Sequence, residues 1–386
     1  MNARLLSVGA RVAVPFGLAL LVVACKGGGS TGSGGDGGAG GSTSSTTTVS
    51  TGTSSACSGA ACEYPSKGHT VTLSPDFAIT DPVTGRVLPL RADIPSGAGP
   101  FPVVVWSHGG AFVDNGHHLA QEWGQTLAAQ GYIVIHIAHV WPTAETGAKV
   151  CEVASIPPAE CVPPAELEES GFIALVKTLD VEAVMAKLPA ISDIAVTNGQ
   201  PALDVTHVAV AGWSGGARAP LVTMGAKFYP LATSPAPLAL PDPLPLASVA
   251  LSPIGPGYGG FFEDATTNTW ATTRGPILVS TGNIDIKPDK PDVLGVDRRK
   301  AYDLQPSDGA RWLLYSNLPP GQGGHSTFNL EDLDSPDPAV AAFSHALSST
   351  VRAFLDANVV GDELAKAWLL TDNAKAVAGD ANWEHK

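Results

Sequence analysis

The sequence predicts an α/β protein, a mostly parallel central sheet with helices on both faces. Three observations carry that expectation. Short apolar, β-branched runs alternate with longer helical stretches, the pattern of strands joined by crossover helices. The run Val208-Ala209-Val210-Ala211 passes directly into Gly212-Trp213-Ser214-Gly215-Gly216, the form of a buried strand that turns sharply into a helix. The residues able to do chemistry gather in loops just past strand ends, where open α/β sheets bind their ligands.

In chain order, strands are expected at His69 to Ser74, Val87 to Ile94, Pro102 to Ser107, Tyr132 to Ala138, His207 to Ala211, Leu246 to Leu251, Pro276 to Thr281 and Arg311 to Tyr315. Helices are expected at His118 to Gln130, Glu169 to Leu188, Gly215 to Lys227, Asp297 to Leu304 and Pro338 to Asn358. In the last of these Val340, Phe343, Leu347, Val351 and Phe354 fall at helical spacing and form a core-facing stripe. Two insertions follow strand ends. Residues 140–168, rich in proline and carrying Cys151 and Cys161, are expected to form a small lid. The loop from Gly255 to Trp270 brings Phe261, Phe262 and Trp270, which with Phe112 and Trp213 suggest an apolar substrate pocket.

Composition bounds the rest. About 300 residues remain once the N-terminus is set aside, and with 44% hydrophobic content they suffice for one large core, so a single domain over 69–372 is expected, with 373–386 as a C-terminal tail. A net charge of −14 without any basic block leaves nothing to hold a phosphate backbone, so no nucleic-acid partner is expected. Arg4 and Arg11 precede an apolar run from Val12 to Ala24, a signal peptide over 1–24 that is too short to span a bilayer. Its end, Leu21-Val22-Val23-Ala24-Cys25, resembles the bacterial lipobox, which implies export, acylation of Cys25 and anchoring at a bacterial cell membrane or outer membrane. The Gly/Ser/Thr-rich stretch that follows, within 25–68, reads as a flexible tether.

Export places the remaining cysteines in an oxidising compartment. Cys57, Cys62, Cys151 and Cys161 allow three pairings, of which the local ones, Cys57 with Cys62 and Cys151 with Cys161, are favoured because each brackets a short segment with little else to order it. Neither spacing resembles a zinc knuckle with a partner knuckle, and His117, His118, His136 and His139 lack a convincing ligand set, so no metal is expected.

The chemistry starts at Ser214. A serine hydroxyl needs a histidine base, and the base needs a carboxylate to fix its tautomer. Downstream, the expected strand ending at Thr281 leads into Gly282-Asn283-Ile284-Asp285, and the one ending at Tyr315 leads into Gly323-Gly324-His325. His325 is the only histidine between Ser214 and the C-terminal helix, and Asp285 is the acid nearest its strand end, ahead of Asp289, Asp292 and Asp297. Upstream, Val103-Val104-Val105-Trp106-Ser107 runs into His108-Gly109-Gly110-Ala111-Phe112, whose amides at Gly110 or Ala111 are placed to join that of Gly215 around an oxyanion. His108 reads as a prop for this turn.

From about His69 to Leu370 the chain resembles the α/β-hydrolase superfamily, and more narrowly bacterial serine esterases related to platelet-activating-factor acetylhydrolase and the predicted dienelactone hydrolases. The likeness rests on Gly99-Pro100-Phe101-Pro102-Val103-Val104-Val105-Trp106-Ser107-His108-Gly109-Gly110, on Leu127-Ala128-Ala129-Gln130-Gly131-Tyr132-Ile133-Val134 and on Leu251-Ser252-Pro253. True dienelactone hydrolases use cysteine, absent from this turn. Gly-Trp-Ser also resembles cutinase-like polyester hydrolases, which usually carry a larger residue where this chain has Gly215. The resemblance implies an α/β-hydrolase fold and a cofactor-free hydrolase of carboxylic esters, whose substrate is a small molecule, a lipid or a polymer. The alternatives are a catalytically inactive surface binding protein, or a peptidase or thioesterase on the same fold.

Overall fold

Apolar side chains on both faces of the middle strands decide the architecture. In β4 (Phe101–Ser107), Val103 and Val105 pack on one face with Val208, Val210, Val181 and Leu188, while Val104 and Trp106 pack on the other with Trp123, Leu127, Val351 and Phe354. Successive side chains of a strand point to opposite faces, so a strand apolar at every position must be covered on both sides. The computed structural model describes residues 58–161, 171–240, 244–263, 266–286 and 294–386. The expected signal peptide, Cys25, Cys57, most of the tether, the end of the 140–168 segment, Asp289 and Asp292 lie outside the described residues.

The other strands are β1 (Val71–Leu73), β2 (Phe77–Thr80), β3 (Val87–Pro95), β5 (Ile133–Ile137), β6 (Leu203–Trp213), β7 (Ala247–Leu251), β8 (Ile277–Gly282), β9 (Arg311–Ser316) and β10 (Asn382–His385). They form one sheet in the order β1-β3-β5-β4-β6-β7-β8-β9-β10, with β2 also paired to β3. The six strands from β5 to β9 in this order are parallel. The strands at both edges are antiparallel. The helices are α1 (Gln121–Ala129), α2 (Ala144–Val153), α3 (Gly171–Thr197), α4 (Arg218–Thr223), α5 (Gly295–Asp303), α6 (Pro338–Leu355), α7 (Glu363–Leu369) and α8 (Asn373–Ala378). Helices α1 and α6 share one core cluster with the sheet, and α3, α4 and α5 contribute to the two others. The expected stripe on α6 is buried as read. Asp337 caps that helix by accepting from the amides of Ala339 and Val340.

The fold extends past both expected ends. Cys62 and Tyr64 belong to the core cluster, with the Tyr64 hydroxyl donating to Asp356 at 3.0 Å and the Trp368 indole donating to the Cys62 carbonyl at 2.9 Å. Residues 373–386 are no loose tail. They form α8 and β10, whose Trp383 stacks on Trp312 at 5.2 Å and whose Glu384 pairs with Arg299 at 2.7 Å. These joins depend on partners far away in the chain, which a local hydropathy pattern does not register.

Candidate active site

Ser214 opens the strand-to-helix turn after β6 and has φ +55°. A residue with a Cβ is disfavoured there by about 1–2 kcal/mol, so the surroundings must hold it in place. They do so by close backbone approach. A Cβ on Gly216 would lie 2.0 Å from the Ser107 carbonyl oxygen, and one on Gly215 would lie 2.1 Å from that of Gly110. Only glycine lets the turn after β6 nest into the loop after β4. Gly110 itself has φ +72°. Two of the three expected oxyanion residues therefore meet backbone to backbone, with Ala111 next in the chain.

The Ser214 Oγ lies 2.7 Å from Nε2 of His325, and Nδ1 of His325 lies 2.7 Å from Oδ1 of Asp285. The serine and histidine are each slightly exposed, at 7% and 8%, while Asp285 is fully buried. Because Nδ1 faces a carboxylate, it carries the proton, which leaves the Nε2 lone pair aimed at the serine hydroxyl. The His325 ring also packs against Trp213 at 4.9 Å, and the Trp213 indole donates to the His325 carbonyl at 3.2 Å. Asp285 is held by its own amide donating to Gly282 at 3.0 Å and by Thr281 Oγ1 donating to Oδ2 at 2.7 Å. Of the rival acids, Asp297 turns back to accept from the Leu294 amide at the start of α5.

His108 props the turn. Its Nδ1–H donates to the Gly109 carbonyl at 2.6 Å, its Nε2 accepts from the His139 amide at 3.2 Å, and its carbonyl accepts from the Lys177 ammonium at 2.7 Å. With both ring nitrogens engaged and its pKa pushed well below the usual histidine range, chiefly by burial, it has no free site for proton transfer.

The five expected pocket aromatics separate. Trp213 borders the triad, and Phe112, beside Ala111, packs at 4.5 Å on Trp141, a 40% exposed residue that the sequence reading did not single out. Phe261 and Trp270 are instead buried core side chains stacked on each other at 5.4 Å, because the loop carrying them folds back under α4 and β8. Phe262 stands at the surface with its ring edge-on to Tyr229. In the expected lid, the described part holds α2, capped by Thr143 and Thr146, and the Cys151–Cys161 disulfide. A cavity of about 820 Å³ lies against it, lined by Thr143, Gly147, Cys151, Ile156 and Phe172 among others. Cys62 is also disulfide-bonded; the expected pairing with Cys57 falls outside the described residues.

Sequence reasoning missed several residues around the triad. Ser252 donates its hydroxyl to Asp285, and Arg298 lies 3.4 Å from the same carboxylate. Apart from the triad, Asp76, His117 and His118 bring three ligand-type atoms within 4.8 Å of one another. There Arg91 Nη1 donates to Nδ1 of His118 at 2.9 Å, which puts the ring proton on Nε2, facing Asp76 at 3.2 Å. A metal-bound histidine instead donates its second nitrogen to an acceptor, so the Arg91 cation at that nitrogen fits a hydrogen-bonded cluster and not a metal site. No helix among the described residues is long and apolar enough to cross a membrane. Compared with known proteins, the chain matches no protein-family model and no curated sequence.

Proposed function

We propose that the chain is an α/β-hydrolase-fold serine hydrolase acting on carboxylic esters. The observation that carries this reading is the continuous relay from Ser214 through His325 to Asp285, two contacts of 2.7 Å that start from a serine at φ +55° on a strand-to-helix turn. The chain order serine, acid, histidine and the position of all three past the ends of the parallel strands β6, β8 and β9 support it.

In this mechanism His325 Nε2 takes the Ser214 proton as Oγ attacks the ester carbonyl. Asp285 stabilises the imidazolium without taking its proton. The negative charge on the carbonyl oxygen is held by the amide of Gly215 and that of Gly110 or Ala111, donors fixed in advance by the interlocked turns. His325 then protonates the leaving alkoxide, and water, deprotonated by the same histidine, releases the acyl group. A catalytically inactive binding protein would need no such relay on a serine of positive φ that keeps some exposure.

The test is a panel of p-nitrophenyl esters of increasing acyl length, run beside phospholipid and polyester substrates, with fluorophosphonate labelling. Turnover of at least one ester class with label on Ser214 is expected; absence of both turnover and labelling overturns the reading. With this we propose lipid anchoring through Cys25 after export, the Gly/Ser/Thr segment acting as a tether. Metabolic fatty-acid labelling that fails in wild-type protein would remove the anchor and leave the hydrolase reading standing.

A further inference from the structure

Ser252 is the first residue after β7, between the strand that presents Ser214 and the strand that presents Asp285. It is fully buried and, like Ser214, adopts a left-handed backbone, with φ +48°. Three contacts hold it there. Its amide donates to the Ser280 carbonyl at 2.7 Å, and Arg298 Nη1 donates to the carbonyls of Ser252 at 3.4 Å and Pro253 at 3.1 Å. A serine in this conformation is unfavourable unless something is gained, and what the conformation achieves is the aim of its hydroxyl. The Oγ lies 2.8 Å from Asp285 Oδ1 and 2.9 Å from His325 Nδ1.

The proton positions follow from the partners. His325 Nδ1 carries a hydrogen because it faces the Asp285 carboxylate, so the single hydroxyl proton of Ser252 cannot go to it and is donated to Asp285 Oδ1. The hydroxyl oxygen then offers the Nδ1–H a second acceptor beside the carboxylate. Thr281 occupies the other carboxylate oxygen at 2.7 Å. With both oxygens of Asp285 engaged, the carboxylate cannot rotate away from the imidazole.

We propose that Ser252 is a positioning residue of the triad: its hydroxyl, shared between Asp285 Oδ1 and His325 Nδ1, holds the carboxylate that sets the tautomer and fixes the ring angle of His325 against it. The consequence for hydrolysis rests on the function proposed above; the effect on the histidine does not. The proposal assigns the role to the hydroxyl, while Arg298 clamps the turn that aims it.

Two variants separate the hydroxyl from the backbone. Ser252→Ala removes the hydroxyl and keeps the unfavourable φ, whereas Ser252→Gly removes it and relaxes the backbone, so the glycine variant serves if the alanine variant does not fold. In both, kcat should fall about 10- to 100-fold with KM unchanged, the size expected for losing a hydrogen bond to a charged group. The independent readout is nuclear magnetic resonance of the His325 ring. The wild-type Nδ1 proton should give a slowly exchanging downfield signal, and both variants should show faster exchange and a shifted resonance as the carboxylate loosens from the ring. Full kcat in Ser252→Gly with a loss only in Ser252→Ala would place the effect in the backbone and overturn the proposal. An unchanged Nδ1–H signal in both variants would overturn it too. If the wild-type protein hydrolyses no ester, the function fails while the resonance comparison still decides the role of Ser252.

Discussion

Two serine–histidine–aspartate arrays stand among the described residues, alike in their contacts and unlike in backbone and access. Ser214, His325 and Asp285 are joined by contacts of 2.7 Å at the ends of β6, β9 and β8. Ser107, His139 and Asp180 are joined by contacts of 2.9 Å and 2.9 Å, with Ser107 the last residue of β4 and Asp180 within α3. Distances alone do not distinguish them. Access and backbone do: all three members of the second array are fully buried, and Ser107 lies within a strand, whereas Ser214 is lifted off the sheet by its positive φ and keeps a margin of exposure. The charges differ as well. His139 is pushed well below the usual histidine range by burial first, then by Lys177 and Arg86, so it cannot take a proton near neutral pH. Asp180 is spent on Arg86, which it holds by two hydrogen bonds of 2.9 and 3.0 Å.

The second array therefore serves the first. The His139 amide and the Lys177 ammonium both bond His108, which carries the Gly109-Gly110-Ala111 turn that Gly215 packs against. A relay geometry makes a nucleophile only where an ester can reach it and where the histidine can accept charge.

The sharpest way to break this distinction is at the two serines. Ser214→Ala should lower kcat/KM on a p-nitrophenyl ester by about 10⁴-fold or more, because attack and proton transfer act as a unit. Ser107→Ala should lower it less than tenfold, while leaving the His139 Nε2 unpartnered at a stability loss of about 1–3 kcal/mol. Mass spectrometry after fluorophosphonate treatment checks the same point, and label on Ser107 would erase the distinction.

The acids should divide activity from stability. Asp285→Asn should cut kcat by about 10⁴-fold, through loss of the productive tautomer, with a modest change in the urea midpoint. Asp180→Asn should do the opposite. It leaves the buried Arg86 without a carboxylate, a loss of about 3–5 kcal/mol in urea unfolding, while folded protein keeps most of its turnover. Equal losses of turnover in the two variants would mean that the buried array takes part in catalysis.

The contrast also explains what the sequence could and could not disclose. Ser214, Asp285 and His325 were readable because each follows an apolar strand in a fixed order, and strand ends and chain order are local properties. The glycines of the turn were readable for the same reason. Lys177 and Asp180 were not, since two charges on a helix ordinarily mark its solvent face, and here they point inward to groups 69 and 41 residues away. Ser252 appeared as one residue of a Leu-Ser-Pro motif, with nothing local to place it against Asp285, 33 residues on. Phe261 and Trp270 read as pocket for the converse reason: an aromatic in a loop looks available until the loop is seen to fold into the core.

The smallest expected effect separates the histidines by pH. His108 and His139 are both held below the ordinary range by burial, with Lys177 the next cause. The unfolded chain takes up these protons near pH 6.5 and the folded protein does not, so stability from this array is present above about 6.5 and lost as the pH falls below it. Glu182, pushed up to about 7 chiefly by burial, acts in the opposite sense, because the folded protein binds its proton before the unfolded chain does. The raw pH dependence therefore mixes the two, and the difference between wild type and His139→Gln isolates the histidine. That variant should be less stable at pH 7, and the gap should narrow by up to about 1.4 kcal/mol per pH unit below 6.5, since glutamine has no proton to gain. Urea unfolding at pH 7, 6 and 5 measures it. A gap that stays constant would mean that His139 accepts a proton inside the folded protein, and the charge-based distinction between the two arrays would fall, leaving access and backbone geometry to carry it.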